Sequence, residues 1–438
     1  NAIATSSDSR LKSGTLRSER RVGMNTNNKD LASRRVRRLL VALIFCAAAL
    51  NYVDRQVLAL LKPILQGEFA WDNQDFAHLG SVFQLSAAIA LPFVGWFVDR
   101  IGVRWGYLIA VGVWSLAGIA HAFAGSMQQF VTARAVLAVA ESVHTPAAVK
   151  SMATYLPIKE RSLGIGLMNT APNVGAILTP LLIPPIALAF GWKAAFIVTG
   201  ALGFVWILFW WPSVRKLEPV QPEAAPAATI RSTVVWSQLF RDRRTWAFVG
   251  AKLLVDQVWW FILFWTPDFF HRVFGMSQAQ LGWPIAIIYT MAAIGALSSG
   301  MLFPRLLDKG YAVDRARKLP MLVYALLILP VPLAITVGSP WTAALIIGLA
   351  LFAHQGFMTN LFGLAADVVA TVIALGAVAG NLSGTAIIEL AGWSLENGHG
   401  YWPMFAICGS AYLLALAWIH FMLPRLRLSD ESNLAPTR

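Results

Sequence analysis

The sequence predicts an all-α polytopic membrane protein with twelve membrane-spanning helices arranged in two six-helix halves. Of its 438 residues, 57% are hydrophobic and only 13% are charged, whereas soluble domains carry about 25% charged residues. A membrane-spanning helix needs roughly 20 apolar residues, so the chain is long enough for about a dozen. This composition excludes an ordinary soluble enzyme, and the 18 Trp and 25 Phe argue against a disordered chain.

Twelve apolar segments follow one another along the chain, and polar stretches separate most of them. They cover residues 39–66, 77–98, 106–125, 127–151, 162–189, 193–212, 245–271, 282–304, 319–338, 340–365, 368–392 and 401–423. Each is long enough to cross a bilayer as a helix.

The longest polar stretch, 213–244, divides these segments into two sets of six, and its prolines suit an extended connector. The expected organisation is a basic tail (1–38), an N-terminal six-helix bundle (39–212), a cytoplasmic linker (213–244), a C-terminal six-helix bundle (245–425) and a C-terminal tail (426–438). The basic tail has no apolar core, so we expect a disordered segment near the inner leaflet rather than a signal peptide.

The distribution of charge predicts how the chain is oriented. Most of the 35 Lys and Arg fall on one side when both termini and every even-numbered connection are placed in the cytoplasm. Lys62, Lys193 and Arg272 fall on the opposite side. The positive-inside rule therefore predicts that both termini are cytoplasmic. The membrane that we expect is a bacterial inner membrane. Because basic residues punctuate apolar segments, the net charge of +13 does not indicate a nucleic-acid partner.

The first apolar segment contains two adjacent charges, Asp54 and Arg55. An ionisable residue inside a span costs about 2.5–3.5 kcal/mol on insertion scales, so its presence needs a reason. Neighbouring residues diverge by about 100° around a helix, so each charge meets a different partner. Arg55 suits a carboxylate through a planar two-pronged contact, and Asp54 suits a basic partner or a proton. A structural ion pair between helices is the alternative.

The fourth segment carries Arg134 and Glu141, seven residues apart and therefore on one helix face. Burial favours the protonated form of a glutamate, and a nearby arginine favours its ionised form. A group balanced in this way can change protonation when a site opens to either side of the membrane. Glu141 is therefore a candidate proton-coupling residue.

The seventh segment contains Lys252 and Asp256, an i,i+4 pair that can neutralise itself. Trp259 follows within an aromatic run, which suits the C–H faces of a sugar ring, although interfacial anchoring is the alternative. Later segments add polar candidates for binding substrate hydroxyls: His354, Gln355, Asn360 and Asn381. Bridging between helices is the commoner role of such residues.

Several motifs of soluble and membrane enzymes are missing from the sequence. It contains no phosphate-binding loop, HExxH zinc motif or GxSxG elbow. We therefore expect neither an ATP-driven pump nor an enzyme, and no metal or cofactor other than the proton as coupling ion.

Two groups of motifs resemble a known family. Gly95, Asp99, Arg100, Gly102 and Arg104 resemble the gate signature that joins the second and third helices of the major facilitator superfamily. More specific are Asn51-Tyr52-Val53-Asp54-Arg55, the run from Val255 to Pro267, Phe352-Ala-His-Gln-Gly356, Asn360-Leu-Phe362 and Gly409-Ser-Ala-Tyr-Leu-Leu-Ala-Leu416. These resemble the hexuronate branch of the anion:cation symporter family over about residues 39–425.

This resemblance implies the major facilitator fold, with proton-coupled symport of organic anions through alternating access of two bundles. It also implies roles by motif position. Asp54 and Glu141 would be the protonatable pair, and Arg134 would be the partner of Glu141. Arg55 and Tyr52 would hold the substrate carboxylate. Asn381 would contact sugar hydroxyls, alongside the candidates Lys252, Trp259, His354, Gln355 and Asn360.

The sequence thus predicts a monomeric importer of a hexuronate, galacturonate or glucuronate, coupled to protons. An aldonate or aromatic-acid proton symporter on the same scaffold is the main alternative. A drug/proton antiporter is less favoured because a buried Arg suits a carboxylate. A non-transporting membrane sensor is less favoured because the basic tail is too small and polar to be a signalling domain.

Overall fold

The computed structural model describes residues 5–217, 236–365 and 370–424. These residues form fourteen α-helices and no strand. The helices are α1 (Thr5–Phe69), α2 (Asn73–Ile101), α3 (Val103–Ala120), α4 (Met127–Ser142), α5 (His144–Tyr155), α6 (Ile158–Phe190), α7 (Trp192–Arg215), α8 (Trp236–Arg241), α9 (Arg243–Phe274), α10 (Gly282–Asp308), α11 (Val313–Leu327), α12 (Pro340–Ala365), α13 (Ala370–Glu396) and α14 (Trp402–Met422). The expected all-α polytopic fold class is confirmed.

Each predicted apolar segment corresponds to one helical unit, and the fourth unit is divided into α4 and α5. Eleven helical stretches among the described residues are long and apolar enough to cross a membrane. The fourth unit is not one of them because α4 and α5 are only 16 and 12 residues long. The division follows from Pro146, which has no N–H to donate to the carbonyl of Ser142, so α4 ends there.

Polar residues extend several helices beyond the apolar segments. Asp72 caps α2 by accepting a hydrogen bond from the backbone N–H of Asp75, and Asp75 caps in return. Asp242 caps α9 in the same way through the N–H of Arg244. Gly102 and Gly191, with φ of 81° and 82°, end α2 and α6 in a conformation that glycine adopts without a Cβ penalty.

The structure differs from the sequence-based expectation in the basic tail. The first helix begins at Thr5, so the segment expected to be disordered is helical from that residue onward. This segment contains no proline, the residue that most strongly interrupts a helix. Residues 218–235 of the linker and 425–438 of the C-terminal tail lie outside the described residues.

The helices pack as two halves. In the N half (α1–α7), α1 packs against α6 and α7, α2 against α4, and α3 against α7. In the C half (α9–α14), α9 packs against α13 and α14, and α10 against α12. The halves meet where α2 lies against α13, α6 against α10, and α1 against α9. Residues of α1 and α9 therefore face each other across the centre of the molecule.

Close packing against α6 holds α1 in this central position. A Cβ added at Gly175 of α6 would overlap the backbone carbonyl of Ala49 and contact Tyr52. Small residues permit such close approach between helices in a membrane. The name far face is used for the membrane face where the C-terminal end of α1 lies. The opposite face, where the C-terminal end of α2 lies, is called the terminal face.

Candidate functional site

A buried ion pair between α1 and α4 lies at the centre of the N half. The Nε of Arg55 donates to Oε2 of Glu141 at 2.9 Å, and their side chains are 15% and 0% exposed. The second carboxylate oxygen of Glu141, Oε1, has no hydrogen-bond partner among the described residues. The pair therefore joins two helices and leaves acceptor capacity on a buried carboxylate.

Three aromatic rings surround the guanidinium of Arg55. Its central carbon lies 5.1 Å from the ring centroid of Tyr52, 5.0 Å from that of Phe83 and 5.7 Å from that of Trp260. Trp260 belongs to the C half, so these rings span both halves. Cation–π attraction strengthens when the cation is desolvated, so the rings favour a charged group at this position.

Arg134 was expected to be the partner of Glu141; the direct ion pair of Glu141 is with Arg55, and Arg134 acts on Glu141 through its charge. Arg134 is fully buried and donates to the backbone carbonyls of Asp54 at 3.5 Å and Arg55 at 3.4 Å. Seven residues separate Arg134 from Glu141, about 10 Å along the helix. The two side chains make no hydrogen bond with each other, but Arg134 is within electrostatic range of Glu141. Arg134 is therefore a residue that holds α1 against α4.

Asp54 lies beside Arg55 on α1 but points to different neighbours, as the sequence predicts. Its carboxylate is buried and faces Thr199 of α7 and Arg134 of α4. It makes no ion pair within 4.0 Å among the described side chains. Asp54 is thus a buried acid close to the Arg55–Glu141 pair but not part of it.

The C half contributes a second ion pair. Lys252 and Asp256 of α9 lie 2.5 Å apart, with side chains 10% and 13% exposed. Two glycines of α13 accommodate them, since a Cβ at Gly380 would overlap Oδ2 of Asp256 and a Cβ at Gly376 would lie 3.2 Å from the Lys252 side chain. The predicted i,i+4 pair is therefore formed, and it is enclosed by a neighbouring helix.

Aromatic and imidazole rings line the central contact between α1 and α9. Tyr52 meets Trp259 edge-on with centroids 6.1 Å apart, and Trp259 stacks on His354 at 5.4 Å. His354 hydrogen-bonds in turn to the hydroxyl of Tyr412. The structure thus brings together three residues predicted from different segments.

Gln355 also takes part in the contact between the halves. Its Nε2 donates to Oδ1 of Asn173 on α6 at 3.3 Å. Asn173 was not predicted, although a polar residue beside Pro172 inside an apolar segment is a detectable signal. This amide pair offers donors and acceptors to a ligand between the halves.

Two other predicted residues differ in their surroundings. Asn360 is buried and donates to Oγ of Ser299 at 2.7 Å and to the carbonyl of Gly356 at 3.1 Å, so it bridges α12 and α10. Asn381 is partly exposed on α13, next to Gly380, and its side chain has no hydrogen bond among the described residues. Asn381 therefore remains a candidate ligand-binding residue, whereas Asn360 has a structural contact.

The predicted gate motif lies at the terminal face between α2 and α3. Asp99 pairs with Lys150 of α5 at 2.6 Å. Arg104 donates to the hydroxyl of Tyr155 at 3.0 Å and to the carbonyl of Leu217 at 2.8 Å. Gly95 has open space around it, Arg100 is exposed and Gly102 forms the turn. The motif thus links α2 and α3 to α5 and to the end of α7.

The far face contains a polar cluster that sequence analysis missed, and it joins the halves. Lys62 of α1 is fully buried and lies 2.8 Å from Asp268 of α9, whose side chain is only 2% exposed. Asp268 also accepts from Tyr401 and from Arg272, the latter at 3.3 Å. Arg272 donates to Asn73 of α2 at 2.8 Å. From the sequence, Lys62 was expected in a connection on the side opposite the termini. The helix α1 instead continues to Phe69, so Lys62 lies within this helix.

A more exposed rim surrounds this cluster. The side chain of Asn73 donates to Glu396 at 3.0 Å. Glu389 accepts from Gln74 and lies 2.8 Å from Nδ1 of His78. We use the name far-face closure for the buried pair of Lys62 and Asp268 together with the rim residues Asn73, Gln74, His78, Glu389 and Glu396.

Among the described residues, no group of three or more His, Cys, Asp or Glu is placed to hold a metal ion. The central site contains two cation–carboxylate pairs, surrounded by aromatic rings and amides. Such a site can bind an anion and exchange a proton with a buried carboxylate.

A fold of two six-helix halves with this gate motif defines a class of membrane transporters. The sequence model of the Major Facilitator Superfamily matches residues 44–388, and the chain belongs to this family. Among solved structures, a bacterial homologue of the human lysosomal transporter Spinster has the same fold, with a TM-score of 0.71 and 17% identity. The match covers 89% of this chain and 96% of that chain.

Curated relatives narrow the class to transporters of organic anions. A hexuronate transporter of Escherichia coli K12 is 25% identical over 91% of this chain and 97% of its own length. A D-galactonate transporter of Escherichia coli O6:H1 is 28% identical, covering 88% and 95%. A galacturonate transporter of Dickeya chrysanthemi is 26% identical, covering 66% and 88%. The resemblance noted in the sequence is therefore confirmed.

Proposed function

We propose that this chain imports a sugar acid, a hexuronate such as galacturonate or glucuronate, together with a proton. The Arg55–Glu141 pair carries the proposal because it places a carboxylate-binding cation against a buried acid at the centre of the molecule. The names of the hexuronate and galacturonate relatives support the substrate class. The protein would act as a monomer in a bacterial inner membrane, with both termini in the cytoplasm.

Proton uptake by Glu141 is the proposed coupling step. While Glu141 is ionised, it accepts a hydrogen bond from Nε of Arg55 and neutralises its charge, which weakens the attraction of the guanidinium for a second carboxylate. Protonation removes the charge from Glu141, and Arg55 then needs a new anionic partner because an unpaired buried charge is strongly unfavourable. The carboxylate of the substrate would supply that charge. Asp54, close to Arg134 and Glu141, would be the second protonatable group.

The remainder of the sugar would lie between α1 and α9. Tyr52 and Trp259 offer aromatic faces to its C–H groups. Gln355 and Asn381 offer amides to its hydroxyls, and Asn173 adds another amide from the N half. An aldonate is the second candidate substrate, since the D-galactonate relative is 28% identical.

Alternating access would follow from the far-face closure. In the structure this polar cluster holds the halves together at the far face. Binding from outside would require it to open, and release into the cytoplasm would occur from the state with the cluster formed. Rocking of the two halves would connect these states.

The test is uptake of radiolabelled galacturonate and glucuronate into proteoliposomes, with and without an inward proton gradient. Wild-type protein is expected to accumulate at least one of them with the gradient. Glu141→Gln keeps the size of the side chain but cannot exchange a proton, so accumulation should fall to the level without a gradient. Counterflow exchange of internal and external substrate should survive.

Glu160→Gln is the matched control because Glu160 pairs with Arg37 at 3.3 Å on the terminal side and is 46% exposed. It should accumulate substrate like the wild type. Gradient-driven accumulation by Glu141→Gln would remove Glu141 from coupling. Absence of uptake of both uronates by the wild type would overturn the hexuronate proposal.

A further inference from the structure

The Lys252–Asp256 pair resembles the Arg55–Glu141 pair in chemistry, but the transport steps above do not use it. Its two charges are 2.5 Å apart and largely enclosed, in the half of the molecule opposite Arg55. Asp256 contacts no second cation among the described residues, so Lys252 alone neutralises it. A buried, self-contained pair of this kind is costly to place in a membrane protein, which calls for a function.

The neighbouring helix is shaped around this pair. Glycines recur every four residues along one face of α13, at Gly376, Gly380 and Gly384. Added Cβ atoms there would press on Phe248 and Lys252, on Asp256, and on Trp260, respectively. Side chains at these positions would overlap the pair and its neighbours, so the glycines allow α13 to pack directly against the pair.

The pair belongs to the same site as Arg55. Asp256 and Trp260 are one turn apart on α9, and the Trp260 ring lies 5.7 Å from the guanidinium of Arg55. Lys252 is one further turn toward the terminal face. Eight residues of helix span about 12 Å. Measured along the axis of α9, Lys252 and the position next to Arg55 are therefore about two helical turns apart.

Other polar groups around the pair carry no permanent charge of their own. Tyr52 of α1 and Tyr412 of α14 are within electrostatic range of Asp256, and His354 of α12 is within range of Lys252. The Phe362 ring of α12 lies 5.3 Å from the ammonium of Lys252. None of these groups can replace a carboxylate as the counterion of Lys252.

We propose that Lys252 is a second anion-binding cation of the central site and that Asp256 occupies it when no substrate is bound. The ligand that fits two such cations is an anion with an acidic group at each end. This inference rests on the proposed function, since it concerns the same site and the same transport cycle.

Charge balance determines how the exchange would proceed. A substrate hydroxyl cannot displace Asp256, because a buried ammonium left without an anion is strongly unfavourable. A second carboxylate can, provided that Asp256 takes up a proton when it is released. Each acidic group of the substrate thus exchanges with one protein carboxylate, and each released carboxylate binds one proton.

The test compares two probes with the same six-carbon chain, galacturonate with one carboxylate and galactarate with one at each end. The KM of the wild type for galactarate should be lower than that for galacturonate by about tenfold or more. Lys252→Met should abolish this difference by raising the KM for galactarate by about tenfold more than the KM for galacturonate. Lys252→Arg retains the charge and should preserve the preference.

Asp256→Asn separates substrate binding from substrate release. Without its competing carboxylate, Lys252 should bind the diacid more tightly, so KM for galactarate falls. Release is then slower, so kcat falls as well. A purely structural role for Asp256 would lower kcat without lowering KM.

Lys318→Met is the matched control because Lys318 and Asp314 form an i,i+4 pair at 2.7 Å on α11, toward the terminal face. It should leave the KM values for both probes unchanged. Transport of galacturonate but not galactarate by the wild type would overturn this inference and leave the proposed function intact. Transport of galactarate without a response to the proton gradient would overturn both proposals, because each released carboxylate is proposed to bind one proton. Lys252→Met could also lose uptake of both substrates equally while the detergent-solubilised variant still behaves like the wild type. That result would overturn the proposal of a second anion-binding site.

Discussion

The Arg55–Glu141 pair and the Lys252–Asp256 pair bring opposite charges together in two different ways. In the N half the charges come from α1 and α4, 86 residues apart in sequence. In the C half they come from successive turns of α9. The first pair depends on how two helices are placed, whereas the second is preserved for as long as α9 is helical.

This difference determines which pair can report a rearrangement of helices. Any shift of α1 relative to α4 changes the Arg55–Glu141 distance, so protonation at Glu141 is linked to helix position. A rigid movement of α9 leaves Lys252 and Asp256 together, and only a ligand or a proton can separate them. In the proposed cycle, the pair in the N half would therefore both bind substrate and respond to helix position, whereas the pair in the C half would respond only to a ligand or a proton.

The largest expected effect tests the pair between helices. Arg55→Met removes the hydrogen-bonded cation of buried Glu141 and leaves only the charge of Arg134 in range, which should lower the free energy of unfolding by about 3–5 kcal/mol and abolish uptake. Unfolding in mixed micelles and initial rates in proteoliposomes measure the two effects. The loss of stability should shrink as the pH falls, because protonated Glu141 needs no cation.

The double variant Arg55→Met/Glu141→Leu sharpens this comparison. Replacing a buried ion pair by apolar residues of similar volume is often neutral for stability. Stability should therefore recover while uptake remains absent. Recovery of uptake would show that the pair between helices is structural only.

An intermediate effect is expected when the pair within α9 is displaced. Gly380→Ala places a methyl group against Oδ2 of Asp256, and such overpacking costs about 1–3 kcal/mol. The melting temperature should fall and the KM for substrate should rise. Gly300→Ala on α10 is the control, since a Cβ there has nothing within 4 Å. Equal behaviour of the two variants would contradict the enclosed position of Asp256.

The smallest effect distinguishes a helix contact from a binding contact. Asn360→Ala removes the hydrogen bond to Ser299 and should lower the free energy of unfolding by about 1 kcal/mol. Because Asn360 bridges α10 and α12, the KM for substrate should stay within about twofold of wild type. A larger rise in KM would return Asn360 to the binding site.

Much of the fold could be predicted from the sequence because the bilayer imposes helix length and polarity on each segment. The twelve apolar segments and the division into halves follow from that constraint. The break between α4 and α5 was not predicted, although Pro146 was visible in the sequence. The helix through the basic tail was also not predicted, since charge pattern rather than apolar periodicity governs that segment.

The site was predictable where spacing within one helix fixes a contact and not where separate helices meet. Lys252 and Asp256 were paired from their i,i+4 spacing alone. The partner of Glu141 was not, because choosing Arg55 over Arg134 requires the relative placement of α1 and α4. Asn173 and Asp268 were missed for the same reason, as their partners lie in the opposite half.

The far-face closure consists of a buried ion pair and a more exposed rim, and these two parts respond differently to ionic strength. Lys62 and Asp268 are almost inaccessible, so dissolved ions screen them little. His78 and Glu396 are exposed and Glu389 is partly exposed, so dissolved ions screen their charges, with a Debye length of about 8 Å at physiological salt. A higher salt concentration therefore weakens the electrostatic interactions of the rim, while the interaction between Lys62 and Asp268 changes little. Added salt would therefore weaken the contact between the two halves only at the edge of the far face.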